Sequence, residues 1–401
     1  MAAKFLFHDS RYKSVTLKKH LIQHLILAGN SPISDIAKEL VLSIPTVTKF
    51  ISELMEDNFI LDLGKQETSG GRRPNIYGLN PKSGFFVGVD VQIKKISLAT
   101  IDFCGNIIDE GYSIKYKTED NQESFDKICE TIHDYINQLN IDKEKVLQVG
   151  INICGRVNPK TGQSFSFFNF EDAALSSKIE KKIGIPVTLE NDSRAMMYGE
   201  FLSGVVKDEK DILFVNVNWG LGAGLIIDGK PYYGKSGFSG EIGHICAIDN
   251  EIICNCGKKG CLETEISGYA IERALKKHKE QGSTSILWKM IEEHGEFLLS
   301  DFVAAVTKGD VLAIEIVEEL GCTLGRWLAG LINLLNPEMV ILGGPLAETK
   351  DYLRLPVQSA IRKYSLNIVN SDTQLVTSEL GERGSLIGAC MLSRSRLLEM
   401  I

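Results

Sequence analysis

One short stretch constrains this chain more than any other: His244-x9-Cys254-x-Cys256-x4-Cys261. Three thiols and an imidazole make a donor set that suits zinc, and Gly257 and Gly260 let the backbone turn tightly around an ion. Buried reduced cysteines acting as small hydrophobes explain the stretch poorly, because Asn255, Lys258 and Lys259 make it polar. A closed Cys3His set is structural: it shapes a loop and leaves no open position to activate water. The chain has nine cysteines in 401 residues, too sparse and irregular for a disulfide framework, which points to a reducing compartment.

The N-terminal residues read as three short helices. Ser14 to Leu27 is apolar on one face, Ala28-Gly29-Asn30 stops it, and Ile33 to Ala37 opens a second helix. Ser43 is a natural N-cap for a third, with Pro45 in its first turn, where a missing N–H costs nothing. Val47, Phe50, Ile51 and Leu54 recur at the helical period and face inward, leaving Thr46, Thr48 and Lys49 outward. A ribbon of Phe59–Leu63 and Asn75–Leu79 follows, around a loop carrying Gly70-Gly71-Arg72-Arg73-Pro74. Two helices joined by a tight turn plus a basic glycine-rich wing form a DNA-reading head over residues 1–81, with Ser43, Thr46, Thr48, Lys49, Arg72 and Arg73 as contacts. Charge agrees: the head has a balance of +2 and the remainder −10. A small helical protein-interaction domain with a solvated arginine pair is the bland alternative.

From residue 85 the pattern becomes β. Strands at 85–90, 95–102 and 107–116 precede a helix near 123–138, and a similar opening recurs at 212–217, 223–227 and 231–233. Two meander-first units suggest a duplicated, two-lobed α/β region over 82–401 with a cleft between lobes. Helical segments then run near 269–279, 297–307 and 310–335, followed by strands at 339–344 and 374–377 and a last helix from about Ser385. Lysines and arginines interrupt the first thirty residues, and no stretch reaches eighteen uninterrupted apolar residues, so a soluble cytoplasmic protein with no membrane partner is expected.

Glu190-Asn191-Asp192 ends a strand and precedes a helix expected from Ser193. Strand ends in α/β proteins face the ligand crevice, where an amide beside a carboxylate grips neighbouring hydroxyls; a helix cap is the alternative reading. Glu241 and Glu263 flank the metal stretch, and several carboxylate and amide acceptors aimed at one pocket suit a polyhydroxyl ligand better than an anion. Asn218-Trp219-Gly220-Leu221-Gly222-Ala223-Gly224 is a glycine-rich hairpin turn that can present N–H groups to phosphate, though a tight hairpin needs no ligand.

The run Gly240-Glu241-Ile242-Gly243-His244, the spacing Cys254-x-Cys256-Gly257-x-x-Gly260-Cys261-Leu262-Glu263 and the Glu190-Asn191-Asp192 triplet together resemble the ROK family of sugar kinases and sugar-responsive repressors, over about residues 85–401. The winged helix resembles that of the family's repressor branch. The resemblance implies an actin/hexokinase-like fold of two ribonuclease H-like lobes with a sugar or sugar phosphate in the cleft. It places Asn191, Asp192, Glu241, His244 and Glu263 on sugar hydroxyls, with Gly155, Arg156 and Asn169 nearby. It also makes structural zinc the metal held by His244, Cys254, Cys256 and Cys261. His244 then serves twice, one ring nitrogen on the metal and the other toward the sugar, and Asp192 matches the kinases' catalytic base.

Two departures separate the branches. The kinases' Asp-x-Gly-Gly-Thr-Lys is replaced by Asp90-Val91-Gln92-Ile93-Lys94-Lys95, whose side chains obstruct a nucleotide phosphate, and the second turn's Gly-Thr-Gly reads Gly220-Leu221-Gly222. The expected protein is therefore a sugar-responsive regulator, a homodimer or homotetramer that binds double-stranded operator DNA and is released by its effector. The alternatives are an ATP-dependent sugar kinase with a regulatory head, using Asp192 as base, and a partner-binding protein that has lost both activities.

Overall fold

The computed structural model describes residues 13–65, 74–168 and 173–401. Three helices open it, α1 (Lys13–Ala28), α2 (Ile33–Glu39) and α3 (Ile44–Glu56), followed by the ribbon β1 (Ile60–Lys65) and β2 (Asn75–Leu79). The apolar period of α3 is realised: Val47, Phe50, Ile51 and Leu54 are all buried. The Ser43 Oγ accepts the Thr46 N–H at 3.3 Å, so the cap and Pro45 in the first turn start the helix as expected. Ser31–Pro32 adds a third strand beside β2. The wing residues Arg72 and Arg73 lie outside the described residues, as does Asn169.

One feature of the head was not legible beforehand. Lys19, on α1, is 1 % exposed, and its ammonium pairs with Glu399 at 2.5 Å while Gln23 donates to the Leu398 carbonyl at 2.6 Å. A buried ammonium deprived of its only ion partner among the described residues loses a charge-assisted bond. Glu399→Ala is expected to cost about 1–3 kcal/mol, read as faster amide exchange along α1; unchanged exchange would show that Gln23 alone holds the contact.

Next come β3 (Phe85–Val91), β4 (Lys95–Asp102), β5 (Ile107–Lys115), α4 (Gln122–Gln138), β6 (Val146–Ile153), α5 (Leu175–Ile183) and β7 (Val187–Asn191). They build a sheet of order β7-β6-β3-β4-β5 in which every residue of β3 is buried. The chain repeats the theme after α6 (Asp192–Ser203), with β8 (Ile212–Val217) and β9 (Leu221–Ile227). The helices α7 (Gly268–Glu280), α8 (Leu287–His294), α9 (Leu299–Thr307) and α10 (Val311–Leu335) lead to β10 (Met339–Gly343), α11 (Asp351–Tyr364), β11 (Gln374–Thr377) and α12 (Arg383–Leu397). This second sheet runs from the short Lys230–Pro231 strand through β9, β8 and β10 to β11, with β8 antiparallel to β9 and parallel to β10.

Two compact units result, one of residues 1–151, 168–189 and 389–401, the other of 152–167 and 190–388. The head expected at 1–81 is grouped with the first of them: the Phe59 ring lies 5.5 Å from Phe103, whose N–H donates to the Pro81 carbonyl. In the second unit β8 residues Leu213, Val215 and Val217 share one apolar core with Leu324, Leu328 and Ile332 of α10. Gly321 and Gly325 sit where a side chain would strike α11 at Leu353 and Val357, so the two helices approach as closely as their backbones allow. The short helix α8 was not expected, and α6 begins at Asp192, one residue earlier than read from sequence.

Candidate ligand and metal site

All the described residues expected at the site fall in the second unit. Gly240 and Gly243 explain how the loop before the metal stretch is placed. A Cβ on Gly240, whose φ is +89°, would collide with the Ala223 carbonyl, and one on Gly243 with the Leu221 carbonyl. Only glycine lets this loop lie flat on β9, where the Ala223 N–H donates to the Gly240 carbonyl at 2.9 Å. The 3-10 turn Ile242–His244 then presents the imidazole.

His244, Cys254, Cys256 and Cys261 converge, their ligand atoms all within 4.8 Å of one another. His244 Nδ1 lies 3.6 Å from the Cys254 sulfur, and the Cys256 and Cys261 sulfurs are 3.6 Å apart. A tetrahedral zinc at ordinary bond lengths spaces its ligands about 3.6–3.8 Å apart, so these four residues can hold a metal. Burial pushes the Cys254 thiol up to about 12, a penalty on the thiolate that a divalent cation offsets. Few backbone bonds organise the stretch: Ala247 and Ile248 donate to the Gly260 carbonyl, Leu262 to Ile245, and Cys254 to Lys258. A metal is the cross-link such a loop lacks.

The two flanking carboxylates bracket the His244–Cys254 edge of this cage. His244 Nε2, the nitrogen turned away from the sulfurs, is 3.7 Å from Glu241 Oε2. Glu263 Oε1 lies 3.6 Å from the Cys254 sulfur, while its Oε2 accepts the Leu221 N–H at 3.0 Å. A carboxylate that accepts from the outer nitrogen of a ligating histidine fixes its tautomer; at 3.7 Å Glu241 stands beside that nitrogen without accepting from it. Glu263 thus ties the glycine-rich hairpin to the cage. That hairpin has little left to offer a phosphate: the Asn218 N–H donates to the Gly220 carbonyl, Trp219 to the Asn218 side chain, and Leu221 to Glu263.

In the Glu190-Asn191-Asp192 triplet the helix-cap reading is realised. Asn191 is a helix cap, its Oδ1 accepting the Arg194 N–H at 3.2 Å, while its amide donates to the Gly155 carbonyl at 3.0 Å and to Asp192 Oδ1 at 2.9 Å. Asp192, in the first turn of α6, also accepts its neighbour's Ser193 N–H at 2.8 Å, and the helix N-terminus favours its charge. Gly155, with φ +88°, and Arg156 are exposed, and the Arg156 N–H donates to Ser166 at 3.0 Å. The triplet and the cage loop are carried by one hairpin: Ser193 accepts from Asn216 of β8 at 3.0 Å, and Gly240 and Gly243 lie against β9.

Sequence reasoning missed the group that locks the triplet. Glu190 and Arg194, each 3 % exposed, pair at 2.7 Å; Arg194 also donates to the Val157 carbonyl at 3.2 Å and lies over the Tyr233 ring. Glu190 accepts the Asn191 N–H at 2.7 Å as well. The opposite charges four residues apart were visible, but not their burial, which depends on Val157 and Tyr233 far along the chain. None of the described site residues lines the groove of about 980 Å³ in the same unit, which runs between α7, α10 and α11.

In the other unit the turn at Gln92 is closed by its own hydrogen bonds. The Gln92 amide donates to the Asp90 carboxylate at 2.6 Å, its backbone N–H donates to the Lys95 carbonyl, and its carbonyl accepts from Thr118. The Gln92 side chain and backbone are thus all engaged within the turn and its neighbouring segment.

Comparison with known proteins agrees with these features. The profile of the ROK family matches residues 86–396. The xylose repressor of Bacillus subtilis (strain 168) is 28 % identical over 96 % of this chain and 98 % of that protein. The DNA-binding transcriptional dual regulator NagC of Escherichia coli (strain K12) is 28 % identical over 92 % and 90 %. Among solved structures, a ROK family transcriptional regulator homologous to the E. coli MLC protein matches with a TM-score of 0.82 at 26 % identity, covering 97 % of this chain and 99 % of its own. A ROK family glucokinase from Streptomyces griseus, in complex with glucose and AMPPNP, matches with a TM-score of 0.66 at 26 % identity, covering 78 % of this chain and 100 % of its own.

Proposed function

The chain belongs to the ROK family, and we propose that within it the protein is a sugar-responsive transcriptional repressor. The observation that carries this is the internally bonded turn at Gln92 in a chain that opens with three helices and a two-stranded ribbon and aligns with repressors along nearly its whole length. Phosphoryl transfer is mostly positioning and charge stabilisation. A chain whose first phosphate turn has lost its glycines, and whose second engages the Asn218, Trp219 and Leu221 N–H groups internally, retains Asp192 without the apparatus to use it.

In this reading His244, Cys254, Cys256 and Cys261 hold zinc, which supplies structure and no open coordination site. Glu241, Asn191, Asp192 and Glu263 bind sugar hydroxyls and the His244 Nε2–H donates to one, with Gly155, Arg156 and Asn169 beside them. The head of residues 1–81 meets operator DNA through α3 and the wing, using Ser43, Thr46, Thr48, Lys49, Arg72 and Arg73. The region 82–401 binds the effector, and the protein works as a cytoplasmic homodimer or homotetramer, since two-fold operators are read by two-fold proteins. Among the described residues no helix is long and apolar enough to cross a membrane.

Effector and operator must then oppose each other with one coupling free energy, about 1–3 kcal/mol in typical cases. The test is a thermal-shift screen of sugars and sugar phosphates with and without ATP, followed by DNA binding in the presence of each hit. One ligand present at about a hundred times its Kd stabilises the protein by roughly 2.7 kcal/mol and weakens DNA binding. Turnover of a sugar with ATP above about 1 s⁻¹ would replace this reading with the kinase.

A further inference from the structure

At the tip of the head the exposed hydroxyls are hydrogen-bonded locally, and apolar side chains stand beside them. Ser43 Oγ accepts the Thr46 N–H and shares a 2.8 Å hydrogen bond with Thr46 Oγ1, while Thr48 Oγ1 donates to the Ile44 carbonyl at 2.9 Å. Each of these hydroxyls is engaged within α3 and its cap. What stands out instead is Val41, 89 % exposed, in the turn between α2 and α3, and Ile44, 57 % exposed, the first residue of α3.

Folding alone does not favour Val41 at this position. Its φ is +53°, in the left-handed region, and its N–H donates to the Lys38 carbonyl at 3.3 Å. A β-branched side chain there is a genuine outlier, and glycine or asparagine makes such a turn at less cost. An exposed valine therefore combines backbone strain with loss of apolar burial, and strain of this kind concentrates where a surface engages a ligand.

The position of the pair identifies the ligand. Residues at the N-terminus of a reading helix approach base edges in the major groove. The apolar group exposed there is the 5-methyl of thymine. The head is also the part of the chain with a positive charge balance, and Lys38 and Lys49 are exposed on the two helices joined by this turn. We infer that Val41 and Ile44 are base-reading residues that pack against thymine methyl groups of the operator. This inference rests on the repressor reading above and adds to it the base chemistry that the head selects.

The test uses the full-length protein and a random-sequence DNA duplex library. The most enriched duplex is resynthesised with deoxyuridine in place of thymidine, one position at a time, which removes a methyl group and leaves the base-pairing edge unchanged. Wild-type protein is expected to lose about fourfold in affinity for each contacted methyl removed. Val41→Gly and Ile44→Ala are expected to bind the thymidine duplex more weakly and to have lost that discrimination. Val41→Gly also relieves the left-handed strain, so its unfolding temperature should equal or exceed that of wild type, separating lost contact from lost folding. Equal binding of thymidine and deoxyuridine duplexes by wild type, or full discrimination by both variants, would overturn the inference. No enrichment from the library at all would instead overturn the DNA-binding reading on which it stands.

Discussion

Cys256→Ser should yield a protein without its metal and without its response to ligand. Elemental analysis of wild-type protein prepared without chelator should give about one zinc per chain, and the variant should fall far below that. The physical reason is the poverty of the loop around the cage. Between Ile245 and Leu262 a few backbone hydrogen bonds and two isolated bridges hold the chain, while Gly257 and Gly260 occupy positive-φ turns. In small finger domains structural zinc contributes about 10–16 kcal/mol of apparent free energy, more than any side-chain contact in this unit supplies. His244 and Glu263 are attached to that loop, so its melting would disperse the proposed sugar contacts along with the cage. Limited proteolysis between residues 246 and 260 and a ligand thermal shift report the two consequences. A metal-free protein that responds fully to its effector would refute the cage's role.

The second large effect is expected at Arg194. Its guanidinium and the Glu190 carboxylate are each 3 % exposed, and removing one leaves the other buried without this counter-charge. Breaking such a pair costs about 3–5 kcal/mol, which for a unit of this size lowers the unfolding temperature by roughly 6–20 °C. Arg194→Ala should show that loss in calorimetry. The double variant Glu190→Leu with Arg194→Met should recover much of the stability, because well-packed apolar residues often replace a buried ion pair without penalty. It should not recover ligand response, since the bonds from Arg194 to the Val157 carbonyl and from the Asn191 N–H to Glu190 would still be missing. Recovery of both would reduce the pair to a packing element with no part in placing Asn191 and Asp192.

The outcome at Asn191 shows why some residues were legible and others not. Its strand-end position and its place before a helix were visible in the local pattern, and the second indicated the capping role the side chain performs. The allocation of its atoms was not visible, because Oδ1 serves α6 while Nδ2 serves Gly155, 36 residues earlier. The hydroxyls of α3 make the same point in the opposite direction. Helical periodicity places Thr48 outward, where it lies, yet the side chain donates back to the Ile44 carbonyl and has less to offer a base. Val41 gave no signal in the sequence, since its conformation and exposure exist only once the turn between α2 and α3 is built.

The sequence by itself determined the convergence of His244, Cys254, Cys256 and Cys261, the three helices of the head with the capped third, the repeated meander-first sheets and the loss of glycines from the turn at Gln92. Each is written in spacing or periodicity over a few tens of residues, the range in which side-chain chemistry and backbone geometry act without distant help. Only the tertiary structure decided that Glu190 and Arg194 are a buried pair, that Lys19 is held from the far end of the chain, and that Val41 and Ile44 project while the hydroxyls beside them bond within α3 and its cap. Burial and hydrogen-bond partners depend on which distant segments arrive, and a single sequence carries no record of that until it is folded.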